Sequence, residues 1–454
     1  MKILINRIFN AVGITSYRTK NITKHIAYSL FYKSGSMIAN FLLVPVTISY
    51  LNTENYGIWL TLTSFISWFS FFDIGLGNGL RNKFAEAKSK GDLKLARAYI
   101  SSAYFTLGSF SLFLMVAFIA INFFIDWTVV FNSNLYLQKE LSILMPVVFA
   151  FFCLQLVLKL ITTIYTADQH HSMQGKINFY IQIVSLLAIW LMTKTTGNSL
   201  LIFGSIFSAL PVIILLWFNF FSFSNTYKEF KPKLSLWKKE YLKTIFELGF
   251  MFFIVQLSGI ILFSTDNLII TQLYGPEEVV PYNIAFKYLS ISNMVLSIIL
   301  TPYWSTITEA YIKGDFDWIK QSMNNLIKIS AGSIFLLIIM VSVSSFAYKI
   351  WVGDNIHIPF TLTLFMAIFF GLTNFYSPFT YFINGTGKVK LQLISLIATS
   401  VINIPLAIFL ASNIGLGVSG VIIATIICLI PHTIICPIQY SKIINKKAYG
   451  IWNK

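Results

Sequence analysis

Three lysines stand inside long apolar stretches, each within a polar stripe of helical spacing. Ser29, Lys33, Ser36, Asn40 and Thr47 form the first stripe. Gln155, Lys159, Thr162 and Thr166 form the second, and Asn283, Lys287, Ser290, Ser297 and Thr301 the third. At about 100° per residue, each set falls within about 40° of one line along its helix. A charge at the bilayer centre costs roughly 2.5–3.5 kcal/mol on insertion scales, so such residues belong against a bundle interior or water. Serine and threonine also bond back to their own helix. One hydroxyl stripe alone therefore reads as packing, whereas three, each with a lysine, read as a wet cavity. Lysine meets phosphate as a point charge, and the embedded charge is mostly basic, which suits an anionic cargo. Gln256 and Asn267 add polar groups to the segment before the third stripe.

Two acidic residues, Asp266 and Asp73, are candidates for coupling or gating, and with Glu86 they are the groups that a proton or sodium ion would use. Simpler roles stand beside these. Lys287 and Asp266 fall in the outer parts of neighbouring segments and would make an ion pair. Lys33 can snorkel to inner headgroups, and Asp73 can cap a helix end. No paired-carboxylate site, nucleophile motif, phosphate-cradling loop or haem ligand pair is present. Cys153, Cys428 and Cys436 all sit in apolar runs without metal or disulfide spacing, and His170-His171 lacks carboxylate or thiol partners for a metal. The reading is of a protein that is not an enzyme, with no metal, no other cofactor and no nucleic-acid partner.

The elements that must hold these stripes are membrane helices. Apolar types make up 56% of the 454 residues and charged types 11%, well under the roughly 25% of soluble domains. The apolar residues come in runs of about 20, the length that crosses hydrocarbon. Twelve such segments can be read, at 26–50, 57–75, 99–125, 141–165, 177–193, 199–221, 245–272, 281–302, 323–347, 359–382, 391–411 and 417–440. One alternate set of loops, with both termini and with Lys33 and Lys328 near the adjoining span ends, holds 28 basic residues; the opposite set holds only Lys139, Lys194 and Lys349. Both termini are therefore predicted to be cytoplasmic. The net charge of +16 is explained by these flanks rather than by nucleic acid. Met1 to His25 does not read as a cleavable signal, and Met1 to Val12 within it is expected to form a short interfacial helix. Prolines 45, 146, 211, 302, 378, 405 and 431 punctuate the spans, where neighbours can re-satisfy the freed backbone.

The chain also repeats. Glu86-Ala87-x-x-Lys90-Gly91-Asp92 recurs as Glu309-Ala310-x-x-Lys313-Gly314-Asp315, offset by 223 residues, and the same offset carries Glu54 onto Glu277. Gly175-Lys176 parallels Gly387-Lys388 at offset 212. Each half then has six spans and enters the membrane in the same sense, a parallel repeat known from transporters. The expected organisation is a cytoplasmic segment 1–25, an N-lobe 26–221, a cytoplasmic linker 222–244, a C-lobe 245–440 and a cytoplasmic tail 441–454.

Several of these motifs carry a resemblance. Tyr56-Gly57, Asp73-x-Gly75-Leu76-x-x-Gly79-Leu80 and Glu86-Ala87 resemble the first lobe of bacterial O-antigen flippases. Asp266-Asn267, Gly275-Pro276-Glu277-Glu278-Val279-x-x-Tyr282-Asn283, Asn384-Gly385-Thr386-Gly387-Lys388 and Gly415-x-Gly417-x-x-Gly420 resemble the second. These are the polysaccharide transporters of the multidrug/oligosaccharidyl-lipid/polysaccharide exporter superfamily. The resemblance covers nearly the whole chain. It implies an all-α protein of twelve transmembrane helices in two six-helix lobes around a central cavity, mainly lined by helices 1, 2, 7 and 8. It implies an undecaprenyl-pyrophosphate-linked oligosaccharide as cargo, flipped to the outer leaflet of the bacterial inner membrane, with membrane lipids, a polysaccharide polymerase and a chain-length regulator as partners. Lys33, Asn40, Lys159, Lys287, Asn283 and Gln256 are then the candidate substrate-binding residues, with Asp266 and Asp73 for coupling or gating. Two alternatives remain at this level: a cation-coupled drug antiporter of the same superfamily, although residues 26–50 contain no acidic residue, and a membrane polysaccharide polymerase. The topology is directly checkable. In a background whose three cysteines are replaced by alanine, a membrane-impermeant thiol reagent applied to intact cells should label Lys139→Cys and Lys349→Cys and leave Lys90→Cys and Lys447→Cys unlabelled until the cells are opened.

Overall fold

The computed structural model describes residues 17–69, 76–168, 170, 172–195, 197–242 and 265–453. The interfacial helix expected over Met1–Val12, the candidates Asp73 and Gln256, and most of the seventh apolar segment lie outside these residues. Among the described residues the chain is helical and has no strand. Hydrocarbon offers no water to exposed N–H and C=O groups, so a spanning segment must pair its own backbone. Among the described residues, ten helices are long and apolar enough to cross a membrane. The two further spans expected from sequence, 57–75 and 245–272, each run through residues not described.

The described helices are α1 (Tyr17–Leu51), α2 (Thr53–Ser67), α3 (Leu76–Ser89), α4 (Leu93–Asn122), α5 (Gln138–Leu158), α6 (Leu160–Ala167), α7 (Ser172–Thr195) and α8 (Leu200–Ser224). There follow α9 (Asp266–Tyr274), α10 (Val279–Lys313), α11 (Phe316–Ser342), α12 (Ser344–Val352), α13 (Phe360–Thr386), α14 (Lys390–Ile408) and α15 (Val418–Ile444). The described residues fall into two compact units. One draws on Met1–Asn52, Phe69–Thr128 and Asn134–Ile254, the other on Thr53–Trp68, Val129–Ser133 and Val255–Lys454. Two short stretches of the first half of the sequence thus belong to the second unit. Asn52, with φ of 57°, breaks α1 from α2.

The first unit packs around Leu80, Phe84, Ile100, Ile161, Leu215 and Phe218. The second has one core around Ile270, Leu289, Met366, Phe370 and Val421, and another around Leu296, Ile307, Met323 and Phe382. Lipid tails are as apolar as leucine, so polar pairs and close backbone approach must add to side-chain packing. Both occur. Asn374 on α13 accepts from Asn293 Nδ2 at 3.0 Å and donates to Ser292 Oγ at 3.3 Å, while its carbonyl takes the Ser330 hydroxyl at 2.6 Å. Gly57 on α2 sits so near the 276 turn that a Cβ there would meet the Pro276 carbonyl oxygen at 1.8 Å.

The sequence repeat is a structural repeat. Gly91 and Gly314 adopt φ of +75° and +74°. Asp92 N donates to Ala87 O at 3.0 Å, and Asp315 N to Ala310 O at 2.9 Å. The Asp92 side chain then caps Leu95 N and that of Asp315 caps Trp318 N. The left-handed glycine closes one helix and the aspartate opens the next. The other proposed match does not share a conformation: Gly387 ends α13 with φ of +74°, whereas Gly175 lies inside α7. A side chain in the left-handed region costs about 1–2 kcal/mol. Gly314→Ala should therefore destabilise the detergent-solubilised protein by about 1 kcal/mol. Gly108→Ala, in a helix with nothing within 4 Å of the new Cβ, should leave stability unchanged or slightly raised in the same thermal unfolding assay.

Candidate functional site

The three lysines occupy different settings, each best seen against its own unit. On α1, Phe31, Ile38 and Leu42 share one exposed apolar face. Lys33, Ser36, Asn40 and Thr47 lie on the opposite side of that helix. Their exposure falls along it: Lys33 is exposed, Ser36 and Asn40 half-buried, and Thr47 buried. The Ser36 hydroxyl is buried with no hydrogen-bond partner. On α10 the stripe runs the other way. Asn283, Lys287, Ser290 and Ser297 are half-buried and Thr301 is exposed, while Ala285, Leu289, Leu296 and Leu300 on the far side fill the core.

Lys159 marks a break in the fourth span, where α5 ends at Leu158 and α6 begins at Leu160. The Leu158 carbonyl takes a hydrogen bond at 2.9 Å from Asn219 Nδ2 on α8, which also donates to Leu215 O at 2.8 Å. Asn219 Oδ1 in turn accepts from the Tyr104 hydroxyl at 2.8 Å. Lys159 itself is exposed. Among the described residues no carboxylate pairs with Lys33, Lys159 or Lys287.

The Lys287–Asp266 ion pair offered by the sequence does not form. Asp266 is 6% exposed, and its Oδ2 accepts a short hydrogen bond from Tyr282, one helix away across the Gly275 turn. Its Oδ1 is buried without a partner. The neighbouring Asn267 joins two helices: its Nδ2 donates to Ser64 Oγ on α2 at 2.7 Å, and its Oδ1 accepts from Asn283 Nδ2 at 2.8 Å. Thr61 and Thr271 hydroxyls meet at 2.6 Å on the same pair of helices, α2 and α9. The structure thus brings Asn283, Asn267 and Asp266 into one polar cluster, with Lys287 a turn further along the Asn283 face.

Glu86 is tied down differently. It sits outside the spans between Lys90 Nζ at 2.6 Å and Lys83 Nζ at 3.0 Å. Lys90, then Lys83, hold its carboxyl down to about 2, so it stays charged across the physiological range. Sequence reasoning did not single out Asn219, Asn374 or Tyr282 as partners. The available signal was a lone amide or phenol in an apolar run, which in hydrocarbon must find a mate.

Buried hydrogen-bonded clusters, helices of membrane-spanning length and three carboxylate-free lysines define a multi-pass helical membrane protein with polar, cation-bearing surfaces. Its fold is shared with a solved multidrug-resistance MATE family transporter in an inward-facing conformation: TM-score 0.77 at 14% identity, covering 93% of this chain and all of that one. A family profile described as "Polysaccharide biosynthesis protein" matches residues 22–308, and the chain belongs to that family. A second profile, MatE, matches residues 248–409. Among similar proteins, a putative O-antigen transporter of Salmonella typhimurium is 24% identical, covering 85% of this chain and 88% of its own length. A putative O-antigen export protein of Yersinia pseudotuberculosis is 22% identical, covering 84% and 87% respectively.

Removing the central amide tests the cluster. Asn267→Ala should destabilise the protein by about 1 kcal/mol, since interhelical hydrogen bonds in membranes are worth about 0.6–2 kcal/mol. In a double-mutant cycle it should couple to Ser64→Ala and not to the distant Ser330→Ala, as read by unfolding in mixed detergent.

Proposed function

We propose that this protein is a flippase. It takes an undecaprenyl-pyrophosphate-linked oligosaccharide, an O-antigen or similar repeat unit, from the cytoplasmic to the outer leaflet of the bacterial inner membrane by alternating access. Both termini lie in the cytoplasm, and the chain makes or breaks no covalent bond in the cargo. The observation that carries this reading is the set of lysines within polar stripes that have no carboxylate partner among the described residues. Family membership and the relatives named for O-antigen transport support it.

The physical need is large. Burying one unpaired hydroxyl costs roughly 1–3 kcal/mol, so a glycan with about ten hydroxyls and a pyrophosphate faces well over 20 kcal/mol. A barrier of about 25 kcal/mol alone allows roughly one crossing in a few days. A hydrated, cationic path removes most of that cost while the lipid tail stays in the bilayer. With the proposed orientation, α1 runs outward and α10 inward. The exposed ends of both stripes, Lys33 and Thr301, then lie toward the cytoplasm, the side on which the cargo arrives. Lys33 and Lys159 receive the pyrophosphate there, Lys287 draws it outward, and Asn40, Asn283 and Gln256 meet sugar hydroxyls. Asp266 is the coupling group. A buried carboxylate with one oxygen free of protein hydrogen bonds among the described residues is placed to gain from a proton or a sodium ion. Asp73 serves as a gate. The polymerase and chain-length regulator act on the cargo after release.

The second reading, a cation-coupled drug antiporter, is favoured by the MatE match and the shared fold. It predicts efflux of lipophilic cations. The decisive comparison uses a Lys33→Gln, Lys159→Gln, Lys287→Gln triple variant at normal membrane levels. Surface polysaccharide should fall at least tenfold, with undecaprenyl-linked units accumulating on the cytoplasmic face. Undiminished flipping would refute the assignment of these lysines, and drug efflux driven by an ion gradient would overturn the cargo class.

A further inference from the structure

Residues 225–242, the stretch expected to link the two halves, lie as a strap along α4 of the first unit. Its start is pinned by Tyr227, which is 1% exposed and donates to Asp168 Oδ2 at 2.9 Å, while Asp168 pairs with Lys88 of α3. Burial and the Asp168 charge push the Tyr227 phenol well up, so it remains a donor. The strap then descends. Arg97 Nε donates to the Lys231 carbonyl at 2.8 Å, and Ser101 Oγ accepts from Lys233 N at 3.1 Å. Ser102 Oγ accepts from Lys238 N at 3.3 Å, and the Trp237 indole donates to Thr106 Oγ1 at 2.9 Å. Beyond Tyr227, each of these hydrogen bonds between strap and α4 uses strap backbone or the Trp237 indole, and no lysine ammonium is among them.

Its side and depth follow from α4. Ser102, Phe113 and Val116 share one face at helical spacing, and further along the helix that face is bare and apolar, Phe113 being 65% exposed. The strap therefore covers the lipid-facing side. With 30 residues, α4 is about 45 Å long, whereas hydrocarbon of about 30 Å needs about 20 residues. Ile121, Phe123 and Phe124 are exposed at the far end, so the surplus lies at the Leu93 end, level with the strap, in the headgroup zone. There Lys228, Lys231, Lys233, Lys238 and Lys239 are all exposed. Between them stand two bare apolar side chains, Leu234 at 67% and Trp237 at 43% exposure. Tryptophan favours this depth, and lysines beside an anionic leaflet are drawn to it.

We propose that the strap is a binding surface for the headgroups of anionic phospholipids, its lysines on their phosphates and Leu234 and Trp237 seated at the acyl boundary. The inference that these lipids belong to the inner leaflet rests on the orientation proposed above. The test uses the full-length protein with its three cysteines replaced by alanine and a spin label at Leu234→Cys. It is reconstituted into vesicles of phosphatidylcholine alone or an equal mixture with phosphatidylglycerol. In the anionic vesicles the label should sit about 5 Å deeper. That shift should vanish at high salt and in the Lys231→Gln, Lys233→Gln, Lys238→Gln variant, whose unchanged thermal unfolding would show intact folding. Equal depth in both lipids, or a shift that survives the charge removal, overturns the proposal. Both leaflets of these vesicles carry the same lipid. The readout is thus independent of orientation and of flipping, and a transport failure with the lipid response intact counts against the transport reading alone.

Discussion

Hydrocarbon supplies no hydrogen-bond partners, and that one fact orders the polar residues of this chain. Amides and hydroxyls placed within the helices are largely matched. Asn219 fills the carbonyl released where the fourth span breaks. Asn374 ties its own helix to two others, and Asn267 bridges Ser64 and Asn283. The three embedded lysines have no carboxylate among the described residues, although placing charge in such segments is costly. A group that is expensive to insert and is left without a counter-charge stands out against that matched background. Lys159 makes the contrast locally: the carbonyl beside it is satisfied by a dedicated asparagine, while its own ammonium is left exposed.

Much of this was legible from sequence because the bilayer leaves few solutions. Runs of about 20 apolar residues marked the spans, and the Glu-Ala-x-x-Lys-Gly-Asp repeat marked equivalent corners, whose glycine and aspartate each have one conformational task. The polar stripes were readable because helical period alone fixes a face. Pairing across helices was less readable. Asp266 and Lys287 look complementary as charges, yet Tyr282 claims the carboxylate because the turn at Gly275, with φ of +95°, sets the geometry between the two helices. Glu86 is an ion-responsive group by type, and the sequence does not show that two lysines a helical turn away on either side clasp it. The placement of 53–68 in the second unit was also beyond the pattern. It depends on the backbone approach at Gly57, which a hydropathy plot does not register. Nor did composition separate the linker's two roles: its lysines indicated a side of the membrane, but its bonds to α4 and to Asp168 made it a fixed strap.

The strap also bears on how the first unit is held together. Its start gathers the end of α3, the turn after α6 and the chain after α8 around Asp168, with Lys88 over the Phe84, Tyr227 and Phe230 rings. These are three separate stretches of sequence meeting at one carboxylate. The ring contacts add cation–π attraction where the ammonium is only partly wet.

The duplicated Gly-Asp corner has a mechanical meaning. Between Lys313 and Phe316 only two residues connect α10 to α11, and both are locked, one by a left-handed backbone and the other by its cap to Trp318. The corner after α3 has the same glycine lock and aspartate cap, with Lys90 as one further connecting residue. Such a joint has no slack. A tilt imposed on one helix of the pair has no flexible linker in which to dissipate, so the joint favours the two flanking helices moving as one lever.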